Sequence, residues 1–122
     1  ILSCHKMVAT IIIFVYPTSG KAIMKIWIDD IRPAPVGYVH FESVSESKAF
    51  IAEHADEIEV LDMDHDAGDF AQFGGDYVRL LDWLEEKFGH SLPFLIRIHS
   101  MNPVGVANMR RIIVRNGWKE II

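Results

Sequence analysis

Three short stretches of the sequence gather residues able to handle protons, cations and phosphate: "IDD" (28–30), "DMDHDAGD" (62–69) and "HSMNPVG" (99–105). In the first, Asp29 and Asp30 are adjacent carboxylates, which repel each other unless a cation or an arginine offsets them. A hard divalent ion such as Mg2+ does this through one or two carboxylates plus phosphate oxygens and water. The plainer reading is a solvated loop with Arg32 as the partner of one aspartate. In the second stretch, Asp62, Asp64, Asp66 and Asp69 surround His65. Asp64 then reads as metal ligand or proton acceptor, and His65 as general acid or base, since imidazole titrates near neutrality. An acidic turn ahead of Gly68 is the alternative. In the third, Asn102 caps a helix whose first residue is Pro103, and a helix N-terminus binds anions through its free N–H groups. Ser100 has a hydroxyl to give to a phosphate oxygen and His99 a proton to transfer. The alternative is an ordinary strand-to-helix turn beside a satisfied core histidine.

The surrounding pattern says what must position these residues. Short apolar runs at 25–29, 38–42, 58–64, 94–98 and 118–122 read as strands, and helical spacing marks 43–55, 76–88 and 103–116. Ser43 and Glu46 form a capping-box pair. "IRPAPVG" (31–37), with two prolines and a glycine, and "AGDFAQFGG" (67–75) are loops. Alternating strands and helices imply a single three-layer α/β/α domain around a mainly parallel sheet of about five strands. Ligands of such sheets bind beyond the carboxyl ends of the strands, so the three polar clusters are expected on one rim.

Composition limits the partners. The chain has 122 residues, enough for one domain, and its net charge of −5 argues against a broad nucleic-acid groove. A small nucleotide or one phosphate at an RNA end remains compatible. The single cysteine, Cys4, excludes an internal disulfide framework and a cysteine-rich zinc site, and fits a reducing, cytoplasmic setting. Residues 1–23 differ from the rest. Their apolar core "VATIIIFVY" (8–16) is too short to span a bilayer as a helix, and although long enough for a signal peptide it is followed by a poor cleavage site. They are read as an upstream or misassigned extension, with the domain over 24–122. Trp27, Trp83 and Trp118 read as core. Arg110, Arg111, Arg115 and Lys119 form a cationic face near the last helix and read as solvated surface.

The stretches "WIDDIRPAPVGY", "DHDAG", "GGDYVRLLDWL" and "IHSMNPVGVANM" together resemble the cyclic-phosphate processing family of receiver-like domains, a variant of the response-regulator receiver fold. The resemblance covers 25–117 in order and implies a flavodoxin-like sheet in the order 2-1-3-4-5. It also implies a metal-assisted site for cyclic phosphates of nucleotides or RNA ends. The matching positions are Asp29, Asp30 and Arg32, then Asp64, His65 and Asp66, then His99, Ser100 and Asn102, with Asn108 one turn into the last helix. Asp62 and Ala67 depart from the pattern, and the lysine that follows a receiver's last strand cannot be placed. With histidine at the fourth strand end, this weighs against phosphotransfer signalling.

The resulting expectation is a phosphodiesterase-type hydrolase. Its catalytic residues are His65, His99 and Asp66, with the two imidazoles as acid and base. Asp29, Asp30 and Asp64 hold Mg2+ (Mn2+ or Zn2+ as alternatives), and Arg32, Ser100, Asn102 and Asn108 bind phosphate. The rivals are a receiver-like switch phosphorylated on Asp64 and a nucleotide-sensing module without turnover.

Overall fold

The computed structural model describes residues 23–122. Five parallel strands form one sheet: β1 (Met24–Ile28), β2 (Tyr38–Phe41), β3 (Ile58–Met63), β4 (Leu95–Ile98) and β5 (Glu120–Ile121), in the order β2-β1-β3-β4-β5. Three helices connect them: α1 (Val44–His54), α2 (Val78–Phe88) and α3 (Pro103–Asn116). This is the receiver-like α/β order expected. The residues 1–22 of the proposed extension lie outside the described residues.

Local chemistry sets the helix ends. Ser43 Oγ accepts the Glu46 N–H at 3.2 Å to start α1, and Asn102 Oδ1 accepts the Gly105 N–H at 3.0 Å to start α3. Gly117 ends α3 in the left-handed conformation (φ 70°) that lacks a Cβ penalty. Helix α2 begins two residues later than its spacing predicts. The Asp76 carboxylate instead accepts the Ala67 N–H at 3.0 Å, so Asp76 ties down the preceding loop rather than entering the helix. That loop also contains a 3-10 turn, Gly68–Gln72.

The direction of the connections decides where the helices lie. After β2 the chain proceeds to β3, β4 and β5, always the same way across the sheet. Parallel crossovers are right-handed, so three steps in one direction stack α1, α2 and α3 on one face, where α2 touches both neighbours. The reverse step, from β1 to β2, is the proline-containing loop 29–37 and carries no helix. The described residues thus supply two of the three expected layers. Burial follows suit. Ile26, Ile28, Leu61, Met63 and Ile96 are buried with Leu80, Leu81 and Leu84 of α2 in one core. On the other face Lys25 and Arg97 are exposed and Trp27 is half-buried.

Candidate functional site

Register builds the site. Ile28, Met63 and Ile98 are partners across β1, β3 and β4, so the next residue of each strand, Asp29, Asp64 and His99, falls in one row. Ladder bonds continue past the strand ends to fix that row: Asp64 N–H donates to the Ile28 carbonyl at 2.9 Å and His99 N–H to the Met63 carbonyl at 2.9 Å. The three clusters do meet on the carboxyl rim of the sheet.

Oxygen atoms of Asp29, Asp30 and Asp64 lie within 4.8 Å of one another. They do not contribute equally. A carboxylate has about four acceptor positions. Asp29 uses three: Oδ1 takes the N–H groups of Ile31 and Arg32, both at 2.9 Å, and Oδ2 faces His99 Nε2 at 2.8 Å. Burial raises the Asp29 pKa, but these two backbone donors and His99 outweigh it and hold the carboxyl below its ordinary 3.8. Its charge therefore stabilises the fold above pH 3.8, and that stabilisation is lost as pH falls through the lower folded value. Asp30 goes the other way. Burial, then the charges of Asp29 and Asp64, push its pKa up. This uncompensated negative charge, in a donor set made wholly of carboxylate oxygens, fits a hard divalent cation such as Mg2+ or Mn2+ better than Zn2+.

A mutational consequence follows. Asp30→Asn removes a like-charge repulsion, so the metal-free protein gains about 0.5–1 kcal/mol while its affinity for Mg2+ falls. Thermal melts with and without Mg2+ check both halves. A variant that melts below the parent without metal contradicts the strained-carboxylate reading.

His99 is clamped. Its Nδ1 lies 2.7 Å from Asp62 Oδ1 and its Nε2 lies 2.8 Å from Asp29 Oδ2. Both carboxylates are buried, and the imidazole lies flat on Trp27 with ring centroids 3.7 Å apart and planes 4° from parallel. Ionised carboxylates only accept, so the ring satisfies both when doubly protonated. As a proton carrier for substrate, the role expected of it, His99 would have to surrender one of these bonds. Arg97 Nη1 lies 3.8 Å from Asp62 Oδ2, and Arg32 Nη1 donates to the His99 carbonyl at 3.3 Å.

His65 is placed differently. Its Nδ1 lies 2.8 Å from Asp66 Oδ1, and Nε2 has no partner among the described residues. Asn102 Nδ2 donates weakly to the other Asp66 oxygen at 3.4 Å, linking the pair to the start of α3. The ring packs on Gly105: a Cβ there would fall 2.5 Å from His65 Cγ. Gly105→Ala is therefore expected to push the imidazole off Asp66 and cut turnover about tenfold or more, with the melting temperature held up by alanine's better helix propensity. Steady-state kinetics beside a thermal melt separate the two effects.

Ser100 Oγ accepts the Asn102 N–H at 3.1 Å and keeps its own proton to donate. Arg32 is exposed, with further N–H groups beyond the one on His99. Asn108 is the outlier: its oxygen accepts from Arg111 at 2.9 Å, and no hydrogen bond joins it to the His65–Asp66 pair. Three residues were missed from sequence as parts of the site. Asp62 was noted as one acid of a cluster and as a departure from the family pattern, although a carboxylate inside an apolar strand signals a buried partner. Trp27, read as core, stacks on His99 from the helix-free face. His40, given no role, has Nε2 2.8 Å from the Asp29 carbonyl.

A family model for the cyclic-phosphate processing receiver domain matches residues 24–115. The chain belongs to that family. Neither curated proteins nor solved structures gave a match to this receiver domain. No helix among the described residues is long and apolar enough to cross a membrane.

Proposed function

We propose that this receiver domain is a hydrolase that opens the cyclic phosphate of a nucleotide or RNA end, assisted by a divalent cation. The observation that carries the reading is the contrast between the two imidazoles on one rim. His99 is saturated by Asp29 and Asp62, whereas His65 is oriented by Asp66 and keeps Nε2 unbonded among the described residues, beside three carboxylates that share one small space.

Asp66 accepts the Nδ1 proton of His65 and so presents Nε2 as the base. Nε2 takes a proton from the attacking water and returns it, directly or through solvent, to the alkoxide freed when the ring opens, so the imidazole ends as it began. Ser100 and Arg32, with the Val104 N–H that the cap leaves unused at the start of α3, hold the phosphoryl oxygens that do not react. His99 acts as a positioning group: its Nε2 fixes the direction of Asp29 and its ring braces Trp27. Asp29, Asp30 and Asp64 would hold the cation, Mg2+ by the donor set, whose chemistry is to offset charge on the phosphoryl oxygens.

The test is a panel of 2′,3′- and 3′,5′-cyclic phosphates incubated with the protein and Mg2+, Mn2+ or Zn2+, read by mass spectrometry. A phosphomonoester product that requires metal supports the proposal. Unchanged substrate under every metal rejects it.

A further inference from the structure

The sheet face without helices runs directly into the site. Across β2, β1, β3 and β4 the row nearest the rim is His40, Trp27, Asp62 and Arg97, and the row below it is Tyr38, Lys25, Val60 and Leu95. Trp27 joins this face to the site by its stack on His99, and its Nε1 donates to the Arg32 carbonyl at 3.1 Å. Tyr38 meets Trp27 edge-on at 5.9 Å, and Lys25 Nζ lies 5.8 Å from the Tyr38 ring centre.

Cations are prominent on this face. Lys25, Arg32 and Arg97 are all exposed, in a protein of net charge −5. The carboxylates Asp29 and Asp62 beside them are buried and bonded to His99, Asp62 also facing Arg97 at 3.8 Å, and Glu59, at the register shift of β3, is the exposed acid of that strand. Of the arginines of α3, Arg110 is chelated by Glu120 and Arg115 by Glu85, while Arg111 bonds Asn108 on the opposite side of the sheet. Lys25 and Arg32 have no carboxylate partner among the described residues and Arg97 reaches Asp62 only at 3.8 Å, so these three exposed cations lie on or beside the bare face, interleaved with its aromatic rings. Aromatic side chains flanked by cations on an open sheet are a means of taking up single-stranded RNA, whose bases stack while its phosphates meet the charges.

We infer that the substrate is the 3′ end of a single-stranded RNA, with the nucleotides preceding the cyclic phosphate lying across the helix-free face at Trp27, Tyr38, Lys25 and Arg97. The inference rests on the hydrolase reading of the rim. Two rows of side chains, about 7 Å apart along the strands, give room for only a few nucleotides, which agrees with the lack of a broad basic groove.

The experiment compares kcat/KM of the full 122-residue chain for a short single-stranded RNA ending in a 2′,3′-cyclic phosphate and for the matching 2′,3′-cyclic mononucleotide. The RNA is expected to be favoured by about tenfold or more, and the double variant Lys25→Ala/Tyr38→Ala to bring the ratio towards one. Equal values for the two substrates, or a ratio untouched by the double variant, overturn the inference while leaving the hydrolase reading intact. If neither substrate is opened, the hydrolase reading fails, and fluorescence anisotropy with the same RNA decides the surface. Binding that the double variant abolishes upholds it. Absence of binding, as when residues 1–22 or a second copy cover the face, overturns it.

Discussion

Replacing His65 by alanine is expected to lower turnover of a cyclic phosphate by on the order of a hundredfold or more, the usual contribution of a positioned general base. The fold should barely notice. The ring is 14 % exposed, packs on a glycine and bonds a half-exposed Asp66, so its removal leaves no buried group unpaired. Substrate binding is expected to persist because Ser100, Arg32 and the start of α3 are unchanged, so the loss belongs in kcat rather than KM. Asp66→Asn should give a smaller loss, since an amide still accepts from Nδ1–H but no longer stabilises the imidazolium. Rapid-quench or steady-state assays under saturating Mg2+ measure all of this. Full turnover by His65→Ala would remove the base from the account.

The second large effect concerns stability. Asp62→Ala deletes the partner of His99 Nδ1 and of Arg97 at a position 1 % exposed. The imidazole then faces a cavity on one side and Asp29 on the other. Breaking a buried, hydrogen-bonded charge pair from one end costs on the order of 3 kcal/mol, or about 10 °C in melting temperature for a domain of this size. Asp62→Asn retains an oxygen acceptor and should recover much of that loss. The expected order, wild type above Asp62→Asn above Asp62→Ala, is read by circular dichroism melts at neutral pH. An alanine variant that melts with the parent would mean the clamp on His99 contributes nothing.

What the sequence made legible is what local chemistry governs. Ser43 and Glu46, and Asn102 before Pro103, announce helix starts because a cap is a bond between near neighbours. The acids after "KIWI" and "LDM" mark strand ends because an unpaired charge is costly inside a buried sheet. The clamp on His99 was not legible. It depends on β3 lying between β1 and β4 in one register, so that Asp29 and Asp62, far apart in the chain, reach opposite nitrogens of a single ring. Trp27 misled for a related reason. An indole in an apolar strand reads as core unless one knows that its face lacks a helix. That fact was partly available in "IRPAPVG": a loop in place of the first crossover helix, combined with right-handed crossovers, leaves only one face for the remaining helices. Asn108 was carried over from the family pattern, and its bond to Arg111 follows from spacing on a helix surface that the pattern does not encode.

The central claim is that water, positioned by the His65–Asp66 pair, attacks phosphorus within reach of Asp29, Asp30 and Asp64. The most direct measurement is the reaction of a 2′,3′-cyclic nucleotide in 18O-labelled water with Mg2+, followed by mass spectrometry of both nucleotide and protein. The account predicts one labelled oxygen in the phosphomonoester product and no phosphate left on the protein. Intact substrate, together with a stable aspartyl phosphate at Asp64 after exposure to a small phosphodonor, would contradict it and return the domain to the receiver's phosphoacceptor chemistry.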